Sequence, residues 1–216
     1  MPTSANQQRY WDTTGAAKTF THPVDFSWLS GLEPGARILD YGCGYGRVTA
    51  QAREHGFTAV EGADPSPALI ARARRTHPRL TFTVLDSPPR LPHPDDSVDA
   101  VLLIAVLTCV PDDDAQRGLI AELARVLRPG GLLHVSDLLL QTDPRNVARY
   151  ERDVTAYGEF GVFRTDDGAV CRHHSAAHLD ALLAGDFTVR ATRTLPVPTM
   201  NANPVQARQL LAQRTR

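Results

Sequence analysis

From Ala36 onward the chain alternates between short β-rich runs and stretches of helical character, and that alternation restricts it to one broad architecture. ARILDYG is a β-rich run ending in glycine, and GRVTAQAREHG after it has helical character and stops at Gly56. TAVEGAD predicts a second strand and SPALIARARRTHP a second helix, with Asp64 or Ser66 as its cap and prolines suited to its first turn. LTFTVLD, apolar at alternate positions, predicts a third strand. VDAVLLIAV is nearly continuous in apolar residues, as expected of a strand buried on both faces. A helix from about Asp113 to Leu127 precedes the turn Arg128 to Gly131 and the strand LLHVSDLLL. Such a pattern implies an α/β fold with a doubly wound, mostly parallel sheet. Right-handed crossovers then bring the ligand-carrying strand ends to one edge.

Two segments stand outside the alternation. Residues 1–35 precede the first strand and carry Tyr10, Trp11, Phe20, Phe26 and Trp28. Residues 141–174 hold a polar helical piece, Pro144 to Tyr157, and then a β-rich pair around Asp167-Gly168, a hairpin signal. Ser175 to Leu183 predicts a helix capped by Ser175, and FTVRATRTL a strand. VQARQLLAQR predicts a last strand, although its composition suits a helix nearly as well. The expected organisation is one domain over 1–216: an N-terminal lid segment (1–35), a ligand-binding core (36–140), an insertion (141–174) and a C-terminal helix with strands (175–216).

The strongest local signal is Asp40-Tyr41-Gly42-Cys43-Gly44-Tyr45-Gly46, between the first strand and first helix. Glycine lets backbone turn sharply and approach a ligand closely, and the helix end offers free N–H groups and partial positive charge. A tight strand-to-helix turn is the plainer explanation of the glycines alone. The spacing is GxGxG rather than the dinucleotide GxGxxG, and Asp40 would repel a pyrophosphate. A ligand with an ammonium and a sulfonium tolerates that carboxylate. Asp64, ending the second strand, either accepts ribose hydroxyls or caps the next helix. Asp86-Ser87, ending the third, either meets adenine or opens a Pro-rich turn. Three acidic sites at three successive strand ends favour one shared ligand.

At these residues the chain resembles the class I S-adenosylmethionine-dependent methyltransferases of the small-molecule group. The matching stretches are ILDYGCGYGRVT, VEGADPS, the Asp86 turn with Leu91-Pro92, DDSVDAVLL and RVLRPGGLLHVSD, together about residues 36–140. The resemblance implies a Rossmann-like, doubly wound, mostly parallel seven-stranded sheet with an antiparallel final strand, and S-adenosylmethionine as cofactor. It implies that Asp40, Gly42, Cys43 and Gly44 hold the methionine part, Asp64 and Pro65 the ribose, and Asp86 and Ser87 the adenine. Ile104 and Ala105 would pass the sulfur side. The sequence departs from the family pattern by one extra residue between Asp86 and Leu91-Pro92, and by Val98 where Phe is usual.

Lys plus Arg (23) nearly balances Asp plus Glu (24), which argues against a nucleic-acid partner. The apolar stretch Val98 to Val110 is too short to cross a bilayer. The start of the chain has no secretory pattern, and three widely spaced cysteines give no disulfide framework. A cytoplasmic enzyme with a small-molecule acceptor is expected, without a membrane partner; a homodimer is left open.

Methyl transfer from a sulfonium is an in-line displacement in which alignment, worth up to about 7–11 kcal/mol, outweighs acid–base help. The acceptor site is expected among the aromatic N-terminus and the insertion. Tyr10, Trp11 and Phe20 either close as a lid or pack an N-terminal helix on the sheet, and Lys18 is placed to reach the cofactor carboxylate. Tyr10, His173 and His174 are the candidate catalytic residues, with either histidine a general base near its ordinary pKa or simply surface-facing. Cys171, His174 and His178 raise a metal set that lacks a fourth ligand, so no metal is assigned. A nicotinamide-dependent oxidoreductase and a non-catalytic S-adenosylmethionine-binding protein are the competing readings.

Overall fold

The computed structural model describes residues 4–215. Seven strands form one sheet in the order β3-β2-β1-β4-β5-β9-β8. They are β1 (Arg37–Tyr41), β2 (Ala59–Asp64), β3 (Thr81–Val84), β4 (Val98–Ile104), β5 (Leu127–Leu138), β8 (Phe187–Pro198) and β9 (Pro204–Arg214). The first five pair in parallel, and β9 runs antiparallel to β5 and to β8. The short strands β6 (Val162–Arg164) and β7 (Val170–Arg172) form a separate antiparallel hairpin.

Helices cover both faces. Ile38, Ala100 and Leu102 pack beneath α2 (Arg47–Glu54), through Val48 and Ala52, and beneath Phe26 and Leu29 of the N-terminal segment. The opposite side chains of the same strands, Leu39, Val101 and Leu103, pack with Leu119, Ile120 and Leu123 of α4 (Asp113–Val126) and Leu179 and Leu183 of α6 (Ala176–Leu183). The unbroken apolar run of β4 follows from this two-sided cover.

Local chemistry explains the helix starts. Ser66 caps α3 (Pro67–Thr76) by accepting from Leu69 N–H, with Pro67 in the first turn. Asp112, Asp143 and Ser175 cap α4, α5 (Pro144–Tyr157) and α6 in the same way, and Gly158 closes α5 in a left-handed conformation. Asp64 is therefore not the helix cap. The segment VQARQLLAQR is a strand because β9 pairs along seven residues of β5 while burying Leu210 and Ala212; packing overrides its helical composition. β5 starts earlier than predicted: Val98 pairs Leu127, the ladder slips, and Ala100 pairs Leu132, so Arg128 to Gly131 bulge out of the strand.

The N-terminal helix α1 (Ser4–Asp12) packs on α3 rather than on the sheet. No helix among the described residues is long and apolar enough to cross a membrane.

Candidate functional site

The carboxyl ends of β1, β2 and β3 carry Asp40, Asp64 and Asp86, and the glycine loop turns over the first two. Gly42, Gly44 and Gly46 all have left-handed φ (70°, 55° and 83°), which other residues adopt only with strain. Two side chains also approach too closely for a Cβ. Val106, after β4, would stand 2.5 Å from a Cβ on Gly42, and the Phe20 ring would overlap one on Gly44.

The loop amides turn inward, against the expectation of free N–H groups. Gly42 and Cys43 donate to Ala63 O (2.7 and 3.1 Å), Gly44 to Asp64 Oδ2 (2.9 Å), and Gly46 to Cys43 O (3.0 Å). A phosphate cradle needs those donors facing the ligand. Here three of the four hold the loop to β2, and the fourth closes the loop on itself.

Asp40 is wholly buried beneath the loop and accepts from the Thr49 hydroxyl of α2 at 2.7 Å. Burial pushes its pKa up to about 7. Asp64 accepts from Gly44 N–H and from Ser66 N–H (2.8 Å), and burial pushes it up to about 6, with the nearby Asp12 adding to the rise. Each of its oxygens keeps a lone pair for a further donor. Asp86 and Ser87 are exposed. Pro65 is half-buried, its carbonyl accepting from Gln8 at 3.4 Å. The Cys43 side chain points away from the crevice, into the core with Ile70, Ala73 and Phe82, so only its backbone borders the loop. Ile104 ends β4, and Ala105, with φ 57°, donates to Ser136 O as the chain turns towards Val106.

Residues 10–20 cover this edge. Tyr10, Trp11, Phe20 and Tyr45 form a run of aromatic contacts (centroids 5.1, 6.0 and 5.0 Å apart) ending on the glycine loop. The Arg72 guanidinium lies 4.0 Å over the Tyr45 ring and donates to Ala16 O and Lys18 O. Asp12 accepts from the Ser66 hydroxyl at 2.6 Å, beside Asp64.

Four of the candidate catalytic or cofactor residues have other partners in this structure. Lys18 is engaged elsewhere: its ammonium binds Asp167 Oδ2 (2.6 Å) and Asn201 Oδ1 (2.9 Å), tying the N-terminal segment to the hairpin tip and the β8–β9 turn. The Tyr10 hydroxyl donates to the same Asp167 at 3.1 Å, and burial with that carboxylate drives its pKa upward, away from a base. His173 is buried among Tyr150 and Phe163, with Nδ1 2.6 Å from the Tyr150 hydroxyl. That hydroxyl also accepts from Gln141 N–H at 3.3 Å. His174 is buried too, 2.8 Å from the Gln116 amide nitrogen, and so accepts at Nε2. Burial depresses both, His174 to about 3, so neither is surface-facing nor near its ordinary pKa. His178 donates to Gln116 Oε1 at 2.7 Å, so one amide bridges the two rings.

Sequence reasoning missed Val106, Thr49, Asp12 and Arg72. The positive φ and tight surroundings of Gly42 and Gly44 are the physical signal that side chains from elsewhere must close on them. It missed Asp137 as well, fully buried at the end of β5, accepting from Leu138 and Thr108 N–H and pushed up to about 7 by burial.

Inward amides, buried carboxylates with raised pKa and a free carboxylate at the third strand end fit a cationic nucleoside better than a dinucleotide. Comparison with known proteins agrees. Residues 38–131 match the family described as "Methyltransferase domain". A methyltransferase structure from Methanosarcina mazei superposes with a TM-score of 0.83 at 24% identity, over 89% of this chain and 98% of that one. Residues 38–131 are thus a methyltransferase domain on a class I, Rossmann-like fold, and S-adenosylmethionine is the cofactor of that kind of domain. Among curated relatives, 27-O-demethylrifamycin SV methyltransferase of Amycolatopsis mediterranei is 32% identical over 70% of this chain and 57% of its own length. A ribosomal protein L11 methyltransferase of Burkholderia ambifaria is 29% identical over 71% of this chain and 49% of its own. The chain thus spans about half the length of the curated relatives it matches.

Proposed function

We propose that this protein methylates a small-molecule acceptor bound between the glycine-loop edge and the segments formed by residues 7–20 and 141–174. S-adenosylmethionine supplies a methyl group on a sulfonium, already activated for in-line displacement. Asp40, Gly42, the Cys43 backbone and Gly44 would surround its methionine part, Asp64 and Pro65 its ribose, Asp86 and Ser87 its adenine, and Ile104 and Ala105 its sulfur side. The chain's own task is then to orient the acceptor and exclude water. The aromatic run from Tyr10 to Tyr45 supplies that exclusion, and no residue is assigned as a general base.

The observation that carries the reading is the trio of carboxylates at consecutive strand ends beneath a loop whose amides face inward. The curated relatives point to two acceptor classes, since one is named for a rifamycin and the other for a ribosomal protein. Coverage of the edge by the N-terminal segment, pinned by Lys18 and Tyr10 to Asp167, favours the small acceptor. Three free cysteines suit a reducing, cytoplasmic setting.

The test is incubation of the protein with methyl-labelled S-adenosylmethionine and either a small-metabolite fraction or the protein fraction of a cell extract. Label is expected in small metabolites. Label moving only into protein overturns the acceptor class. Titration with NAD and S-adenosylmethionine side by side is expected to show binding of the second alone.

A further inference from the structure

Among the described residues of the helix and hairpin after β5, Arg149 is a partly buried cation without an ion pair, whereas Arg145 and Arg164, also without one, are exposed to water. The Arg149 guanidinium lies 3.6 Å over the Phe163 ring. Its Nε is buried without a hydrogen-bond partner, and none of the ion pairs among the described residues includes it. The contrast with its neighbours is local. Arg152 holds Asp153, and Arg172 holds Asp113 and Glu159. Asp153, one helical turn beyond Arg149, is already committed to Arg152 and to the Arg164 amide. Arg145, one turn before it, adds like charge.

Burying the Nε of a guanidinium without a partner is unfavourable, and an anion at its remaining N–H groups offsets that cost. The Phe163 ring takes one flat face of the guanidinium. That leaves the in-plane N–H fork, which matches the two oxygens of a carboxylate or phosphate. The location suits an acceptor. Phe163 pairs in register with Cys171, next to Val170. Gln7 of α1 reaches across to Val170 O and Cys109 O, at 2.7 and 2.9 Å. Arg149 and Phe163 therefore stand where the insertion meets the N-terminal helix.

We propose that the acceptor carries an anionic group, carboxylate or phosphate, received by the Arg149 guanidinium, which the buried Phe163 ring holds in place from beneath. This inference rests on the acceptor placement given above and adds the acceptor's charge class.

Matched probe pairs test it: benzoate against benzamide, and phenyl phosphate against phenol, titrated calorimetrically with and without S-adenosylhomocysteine. In the wild-type protein at least one anion is expected to bind about 10-fold tighter than its neutral partner. Arg149→Met removes that preference while S-adenosylhomocysteine affinity and Tm report an intact fold. Arg149→Lys, which keeps the charge but loses the fork, retains only part of it and carries the test if the Met variant does not fold. Equal binding of anion and neutral partner in the wild type, or a preference unchanged in both variants, overturns the proposal. Failure of S-adenosylhomocysteine to bind instead sinks the cofactor assignment, because the anion preference is read separately in its absence.

Discussion

The carboxylates beneath the glycine loop and the histidines of the insertion are equally removed from water, yet burial pushes them in opposite directions. Asp40 and Asp64 rise to about 7 and 6, while His174 falls to about 3. Near neutral pH both sets are thus held towards their uncharged forms. A cation set beside the carboxylates favours their ionised form, so those groups have a use for their burial. The histidines tie α5, the hairpin and α4 together through Tyr150 and Gln116, with the buried Asp137 3.6 Å from His174 Nδ1. Burial alone does not mark a functional group; what matters is whether a ligand can relieve its cost.

The hardest test of that contrast is the loop itself. Gly44→Val forces a left-handed backbone, costing about 1–2 kcal/mol, and drives a Cβ into Phe20. Calorimetry is expected to show S-adenosylmethionine affinity falling at least about 100-fold; an affinity within threefold of wild type would place the cofactor elsewhere.

The next pair separates the two regions directly. Asp64→Ala leaves the Gly44 and Ser66 amides without their acceptor and should weaken cofactor binding about 10-fold or more, alongside lost stability of roughly 1–3 kcal/mol for each orphaned donor. His173→Ala empties a buried ring site and should cost about 2–4 kcal/mol in denaturant unfolding, with cofactor affinity unchanged within about twofold. Loss of affinity in the histidine variant would break the comparison.

Titration sharpens it further. The folded pKa of His174 lies below the unfolded value, so its contribution is whole above about pH 6.5 and is lost as pH falls towards 3, by at most about 1.4 kcal/mol per pH unit. Asp64 has the opposite sign: its contribution is whole below about pH 4 and is lost as pH rises through about 6. His174→Gln, which can still accept from Gln116, should flatten the acid limb of the stability profile by one proton. Cofactor binding at pH 6.5 should release protons from Asp40 and Asp64, visible as a dependence of the binding heat on the buffer's ionisation enthalpy.

The smallest effect is at the clasp. Asp167→Asn removes a half-exposed ion pair with Lys18 while keeping hydrogen bonds, so stability should change by less than about 1 kcal/mol. Amide exchange of residues 10–20 should nevertheless quicken, since that segment loses its charged tie to the hairpin.

Most of the sheet was legible because period and caps are local. The alternation of LTFTVLD, the apolar run of β4, and Ser66, Asp143 and Ser175 before their helices each act within one turn of chain. The glycine spacing with Asp40, Asp64 and Asp86 was legible for the same reason, since strand ends and turn residues share a short stretch. The surroundings of Lys18, Tyr10, His173 and His174 were not legible because their partners lie more than twenty residues away. Nothing near Lys18 announces Asp167, and nothing near His173 announces Tyr150.

What the sequence by itself determined is the order of elements and the three acidic strand ends, because hydrophobic period, helix caps and turn glycines are properties of neighbouring residues. Only the tertiary structure decided that the loop amides face inward, that the N-terminal aromatics close on Gly44, and that the paired histidines are buried ties. Those outcomes turn on which distant side chains meet, and on how far water is kept from them when they do.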